Sequence, residues 1–483
     1  MAVNQRIPLF ITLTILLAAV TGCGGGSSLS FPPPQGGFTN ASLNGPYAFS
    51  YIGSDASGFI TVAGSFQADG NGHITSGMQD LRNAASVATN VATTGTYAVR
   101  ADGRGTATLN SSAGNSTIDF VLVASGHGLV TRFDSSATGS GTLDQQSPSA
   151  FSNTALAGPF AFSLSGIDAV GNPLSVAGIF TSDTAGNITG IDDSNDAGGV
   201  LTNDPLTGAI PVASNGRGSA TINTARGAST FAFYVVDATH FKLVEVDSGL
   251  GLGGDAFRQT GPFSNASVSG PFAFTLAGVD NLSLSPFATG GILTSDGAGT
   301  ITSGTQDFND GGSVTTNVGL TGSYSIASNG RGTLNIVTGA GTFTFTIYPS
   351  SGGVLILETD VNFLTTGTAL AQSPPFTAGS FSGTYGMNFT GVTTNGGLDS
   401  IAAFTADGAS KFTGIIDVNN AGGVTFGQPF AAAFNMASNG RSTVTLQTPL
   451  GTQNMVFYTV SGTRAVFIEL DTNVVSAGEI RHQ

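Results

Sequence analysis

The sequence predicts an all-β fold: four tandem antiparallel meander domains, each an up-and-down β-barrel of about eight strands. A two-sheet sandwich is the alternative. Three observations carry that reading. Apolar residues alternate with small or polar ones at a period of two, as in Tyr47, Phe49 and Tyr51 or Phe343, Phe345 and Ile347, the pattern of a strand with one buried face. Charged residues fill only 9% of the 483 positions, and the lysines are Lys242 and Lys411 alone, too few to cover the outer faces of helices. Glycine occupies 71 positions, phenylalanine 34, and hydrophobic residues 40%, so both turns and cores are supplied and disorder is excluded.

The N-terminus is read as a leader. Arg6 precedes an apolar run from Ile7 to Val20, too short for a membrane span of about 20 residues but suited to a signal-peptide core. It ends in Val20-Thr21-Gly22-Cys23, and Cys23 is the one cysteine of the chain, so no intrachain disulfide forms. This ending resembles the lipobox of bacterial lipoproteins, with Val20 where Leu is more usual. The resemblance implies cleavage before Cys23, acylation of Cys23 and a membrane anchor through the N-terminal lipid. Gly24 is not the Asp that holds such proteins at the inner membrane, so the expected place is the outer membrane or cell surface. Residues 1–22 are then signal peptide, and residues 23–37 a Gly/Ser/Pro tether.

The remainder is one unit used four times. Gly45-Pro46-Tyr47-Ala48-Phe49 returns at Gly158, Gly270 and, altered, Gly383; Asp69-Gly70 returns at Asp183, Asp296 and Asp407; Asp102-Gly103-Arg104 returns at Asn215, Asn329 and Asn439. The units are 38–147, 151–260, 263–373 and 376–483, joined by short Pro-containing segments such as Gln372-Ser373-Pro374-Pro375. Each is domain-sized, so the expected organisation is a string of four beads that fold separately. The repeats are similar to β-rich repeats of envelope lipoproteins of soil bacteria, a resemblance that brings no function with it.

Within the third unit the strands are expected at 270–278, 287–295, 300–307, 313–318, 320–327, 332–338, 342–348 and 353–360, with a ninth near 364–370. Asp/Asn-Gly pairs between them supply the positive φ that tight turns require. A meander of this length leaves two open edges unless it closes, which favours the barrel.

Little catalytic chemistry is visible. His73, His127, His240 and His482 fall at unrelated repeat positions, and the glycine-rich stretches lack a phosphate-binding lysine. Acidic segments at Asp192, Asp307 and Asp417, each followed by Gly-Gly, carry oxygens for Ca²⁺ but lack its bidentate Glu; Asx turns explain them without a metal, and no metal or cofactor is assigned. The other recurring set is Arg104, Arg217, Arg331 and Arg441, with Asp134, Glu245 and Asp247, Glu358 and Asp360, and Glu469 and Asp471 near the end of each unit. Carboxylates two residues apart on a strand share a face, as a glycosidase pair beside a cleft would. The alternative pairs each Arg with an acid of a nearby strand in its own unit, and recurrence in all four units favours this structural role.

With 14 basic against 29 acidic residues, net charge −15, the chain repels phosphate backbones, and nucleic acid is excluded as a partner. The expected function is non-enzymatic: a lipid-anchored envelope or surface protein that binds, adheres or supports, with a surface polymer or protein as partner. Alternatives are a barrel that carries a small apolar ligand and a carbohydrate-active enzyme. A hollow or filled barrel interior separates them.

Overall fold

A computed structural model describes residues 37–123 and 126–483. The expected leader, Cys23 and nearly all of the tether lie outside the described residues. The rest is all-β, with 3-10 turns such as Asn40–Ser42 ahead of the barrels. It forms four closed eight-stranded antiparallel barrels in simple meander order. They run from Asn44–Asp55 to Ala137–Gln145, Gly158–Ile167 to Gly251–Arg258, Ser269–Asp280 to Phe363–Ala371, and Ser382–Thr393 to Val474–His482. In each, the first strand pairs with both the second and the eighth, as Phe274 does with Gly291 and Ala369. Closure leaves no open sheet edge.

The strand count in the third unit is eight because the segments expected at 313–318 and 320–327 are one strand, Ser313–Ile326. Asn317 sits there at φ 56° and absorbs an irregularity of register without ending the strand. The ninth segment is the closing strand, Phe363–Ala371. The turns have the expected chemistry. Asp69 accepts the backbone N–H of Asn71 and His73, and Asp183, Asp296 and Asp407 do the same in their units.

The alternating residues meet inside each barrel. Glycines on neighbouring strands make room for the rings: a Cβ on Gly218 would lie 2.0 Å from the Phe233 ring, and one on Gly105 2.3 Å from Phe120.

Turns between strands one and two, three and four, five and six, and seven and eight gather at one end of each barrel, here the hairpin end. The remaining turns and the joints lie at the other, the linker end. The barrels are not separate beads. Each lays its first three strands against strands six to eight of the next, and the fourth returns to the first, so one chain forms a closed ring of four. At the linker end Gln146, Gln259, Gln372 and Gln483 donate to backbone carbonyls of the following barrel, Gln483 reaching Leu122 of the first. At the hairpin end Asn195, Asn309 and Asn419 each donate to three carbonyls of the next barrel, Asn419 to those of Arg132, Asp134 and Ala137. Contacts at both ends align the barrels side by side, so the ring has a hairpin face and a linker face. Outward apolar side chains fill the junctions, such as Tyr348, Leu355 and Leu357 against Ala161 and Ala177. The first junction also buries Lys242, 2.8 Å from Asp144 of the first barrel.

Candidate functional site

The recurring arginines do not pair with the acids near the ends of their own units. Arg217, Arg331 and Arg441 reach back into the preceding barrel and grip Asp80, Asp193 and Asp307 with Nε and Nη2 at 2.5–2.9 Å. Arg104 reaches Asp417 of the fourth barrel at 2.5 Å and closes the ring, steadied by Asp102 at 2.9 Å. Tyr234, Tyr348 and Tyr458, all buried, donate their hydroxyls to the same aspartates. Each aspartate also accepts a backbone N–H from the irregular fourth strand, at Asn90, Asn203, Asn317 or Gly427. The acidic segments considered for Ca²⁺ are thus occupied by cationic side chains of the protein: Asp307 and Asp417 by these arginines, Asp192 by Arg226 at 2.7 Å. Among the described residues no cluster of three or more His, Cys, Asp or Glu is placed to hold a metal.

The acids near the end of each unit divide by role. Asp134 and Asp247 accept backbone N–H groups of strand six and of their own turns; Asp471 accepts from Asn454, and Asp360 from Asn362 and Phe363. Glu245, Glu358 and Glu469 are buried and share a strand face with inward apolar residues, as Glu358 does with Val354 and Ile356. Burial pushes Glu245 and Glu469 up to about 8 and Glu358 well above the usual carboxylate range. The corresponding residue of the first barrel is Arg132, which donates to Tyr51 at 2.8 Å. The histidines are also more ordered than expected. His127 and His240 both begin the seventh strand, and each contacts an aspartate of the eighth, Asp144 at 2.5 Å and Asp255 at 2.7 Å.

The third barrel is hollow. A cavity of about 260 Å³ opens at its hairpin end, with Leu293, Leu334 and Ile356 on its walls, Phe287, Phe343 and Phe363 at its mouth, and Glu358 among its polar groups. One inward position on its wall is smaller than elsewhere. Where the other barrels place Phe66, Phe180 and Phe404, the third has Leu293. The second barrel keeps a pocket of only about 30 Å³, and Arg226 reaches across it from the turn between strands five and six to Asp192. The third has Ala340 at that place. Sequence reasoning missed this site because a cavity is a shortage of side-chain volume, visible only once the inward positions of all four units are aligned.

No protein-family model matches the chain, and no curated protein does. Among solved structures, one that matches is a double mutant of the vaccine antigen transferrin binding protein B from Haemophilus parasuis. It is 11% identical, with 90% of this chain and 74% of that chain covered and a TM-score of 0.20. A likeness of that size carries no argument about function.

Proposed function

We propose that this is a lipid-anchored envelope protein that captures a small, largely apolar molecule in its third barrel, without chemistry. The cavity carries the reading. It opens into a barrel core, and at about 260 Å³ it exceeds the roughly 150 Å³ that accommodates benzene in an engineered protein cavity. Leu282, Leu284, Val337 and Val361 stand exposed near its mouth and extend the apolar surface outward. The remaining barrels serve as frame. Glu358 and Asp360 support capture better than hydrolysis, because Glu358 lies inside an apolar barrel and Asp360 is committed to its turn.

The first barrel begins at the linker face, and the cavity opens on the opposite face. Titration calorimetry of the full chain with 1-octanol tests capture. Saturable binding is expected, and Leu293→Phe, which restores the ring found in the other barrels, is expected to abolish it without loss of melting temperature. Equal binding by Leu293→Phe overturns the assignment of the site. For the anchor, Cys23→Ala is expected to move the protein from the membrane to the soluble fraction; unchanged detergent partitioning overturns it.

A further inference from the structure

Resting on the capture reading, we infer that the ligand of the third barrel is a cationic amphiphile, an amine on an aliphatic or aromatic body, with Glu358 as its counter-charge inside the cavity. Four observations carry this. Glu358 is 2% exposed yet lines the cavity. Thr365 donates to its Oε2 at 2.6 Å, and no donor among the described residues reaches Oε1. A buried carboxyl with one protein donor is costly to ionise unless something supplies another. The two other charged groups on the cavity wall are also acids, Asp310 and Asp360. The only basic residue between positions 263 and 373 is Arg331, which faces outward and is consumed by Asp193. An anionic head group would therefore meet three carboxyl groups and no cation, whereas an ammonium would meet an acceptor within and aromatic rings at the mouth, which attract cations.

The second barrel carries its own cation across its pocket, Arg226 on Asp192. The third has Ala340 and Gln306 at those places, so no side chain of the barrel brings a cation to Glu358.

Burial raises the Glu358 carboxyl well above the usual carboxylate range, with the Asp360 charge acting in the same direction. Pairing with an ammonium ion favours the ionised carboxyl, so binding is expected to release a proton to solvent. The groups around it on the second, third, sixth and eighth strands are neutral apart from Asp310 on the third, and Asp280 at the end of the first strand is held by Leu282 and Ser283. Nothing nearby replaces that proton.

The test compares octylamine, 1-octanol and octanoate on the full chain by calorimetry in buffers of different ionisation enthalpy. Expected is octylamine binding at least about tenfold tighter than 1-octanol, the order of a charge-assisted over a neutral hydrogen bond, with net proton release and no octanoate binding. Glu358→Gln is expected to remove the preference for octylamine and the proton release while leaving 1-octanol bound. Equal affinity for octylamine and octanol, or a preference that survives in Glu358→Gln, overturns the cation assignment and leaves capture standing. Absence of binding by all three overturns both.

Discussion

Asp193 is fully buried and accepts from the backbone of Asn203, from two nitrogens of Arg331 and from the Tyr348 hydroxyl. Three of those donors belong to the next barrel, so the carboxylate is satisfied only when the junction is made. Removing the guanidinium leaves a buried charge with half its partners, which typically costs about 3–5 kcal/mol. Arg331→Ala in the full chain is accordingly expected to lose about 3 kcal/mol in denaturant unfolding, and Arg331→Ala with Asp193→Asn to recover part of that. A loss below about 1 kcal/mol, the range of an exposed pair, would refute the clasp. A second prediction concerns Glu245 and Glu469. Their folded-state pKa values, about 8, lie above the ordinary 4.5. The unfolded chain therefore releases its protons first as pH rises, and the stability present below pH 4.5 is lost progressively up to about pH 8. Among the described residues neither oxygen of Glu245 has a partner. Glu245→Gln should flatten the decline in melting temperature between pH 5 and pH 8, and an unchanged slope would count against the burial argument.

Strands six and seven show how an element records its surroundings. In the second barrel Phe231-Ala232-Phe233-Tyr234-Val235-Val236 is buried along its whole length, its odd-numbered residues in the barrel and Ala232, Tyr234 and Val236 in the junction. An uninterrupted apolar run marks a strand covered on both faces, and that run is the sequence signal for the ring. The strand opposite makes room by glycine. A Cβ at Gly218 would overlap the Phe233 ring, and overpacking a core costs about 1–3 kcal/mol. Gly218→Ala is expected to destabilise by about that amount, whereas Gly227→Ala, at a turn where a Cβ meets nothing within 4 Å, should cost less through its φ of 120° alone. Equal losses in thermal unfolding would show that packing is not the cause.

The ring makes the fourth barrel a neighbour of the first although they are farthest apart in the chain. That junction differs from the others: Val121 stands where the other junctions have a tyrosine, and Asp102 joins Arg104. It also buries Asp119 with no hydrogen-bond partner for either carboxyl oxygen among the described residues, and burial raises that group to about 7. Deleting residues 376–483 would expose Leu129 and Val121 of the first barrel and Ala288 and Ile292 of the third. The expected result is a three-barrel chain that binds anilinonaphthalene sulfonate and melts earlier than the full protein. A chain with no added dye binding and an unchanged melting temperature would mean that the barrels are independent beads after all.

The amino-acid sequence by itself determined the strands, their number within one unit, the turn chemistry and the fourfold repetition, because a period of two and an Asx-Gly turn are local rules that act within a few residues. It also favoured closure over a two-sheet sandwich, since eight strands in meander order leave edges that closure removes. Tertiary structure alone decided what the recurring polar residues do. Arg331 and Asp193 lie 138 positions apart, and the choice between an acid of the same barrel and one of its neighbour depends on which outer faces meet. The hollow third barrel is likewise a property of volume. Leu293 reads as core in any alignment of apolar positions, and only the packed interior shows that it is too small to fill the space its three counterparts fill.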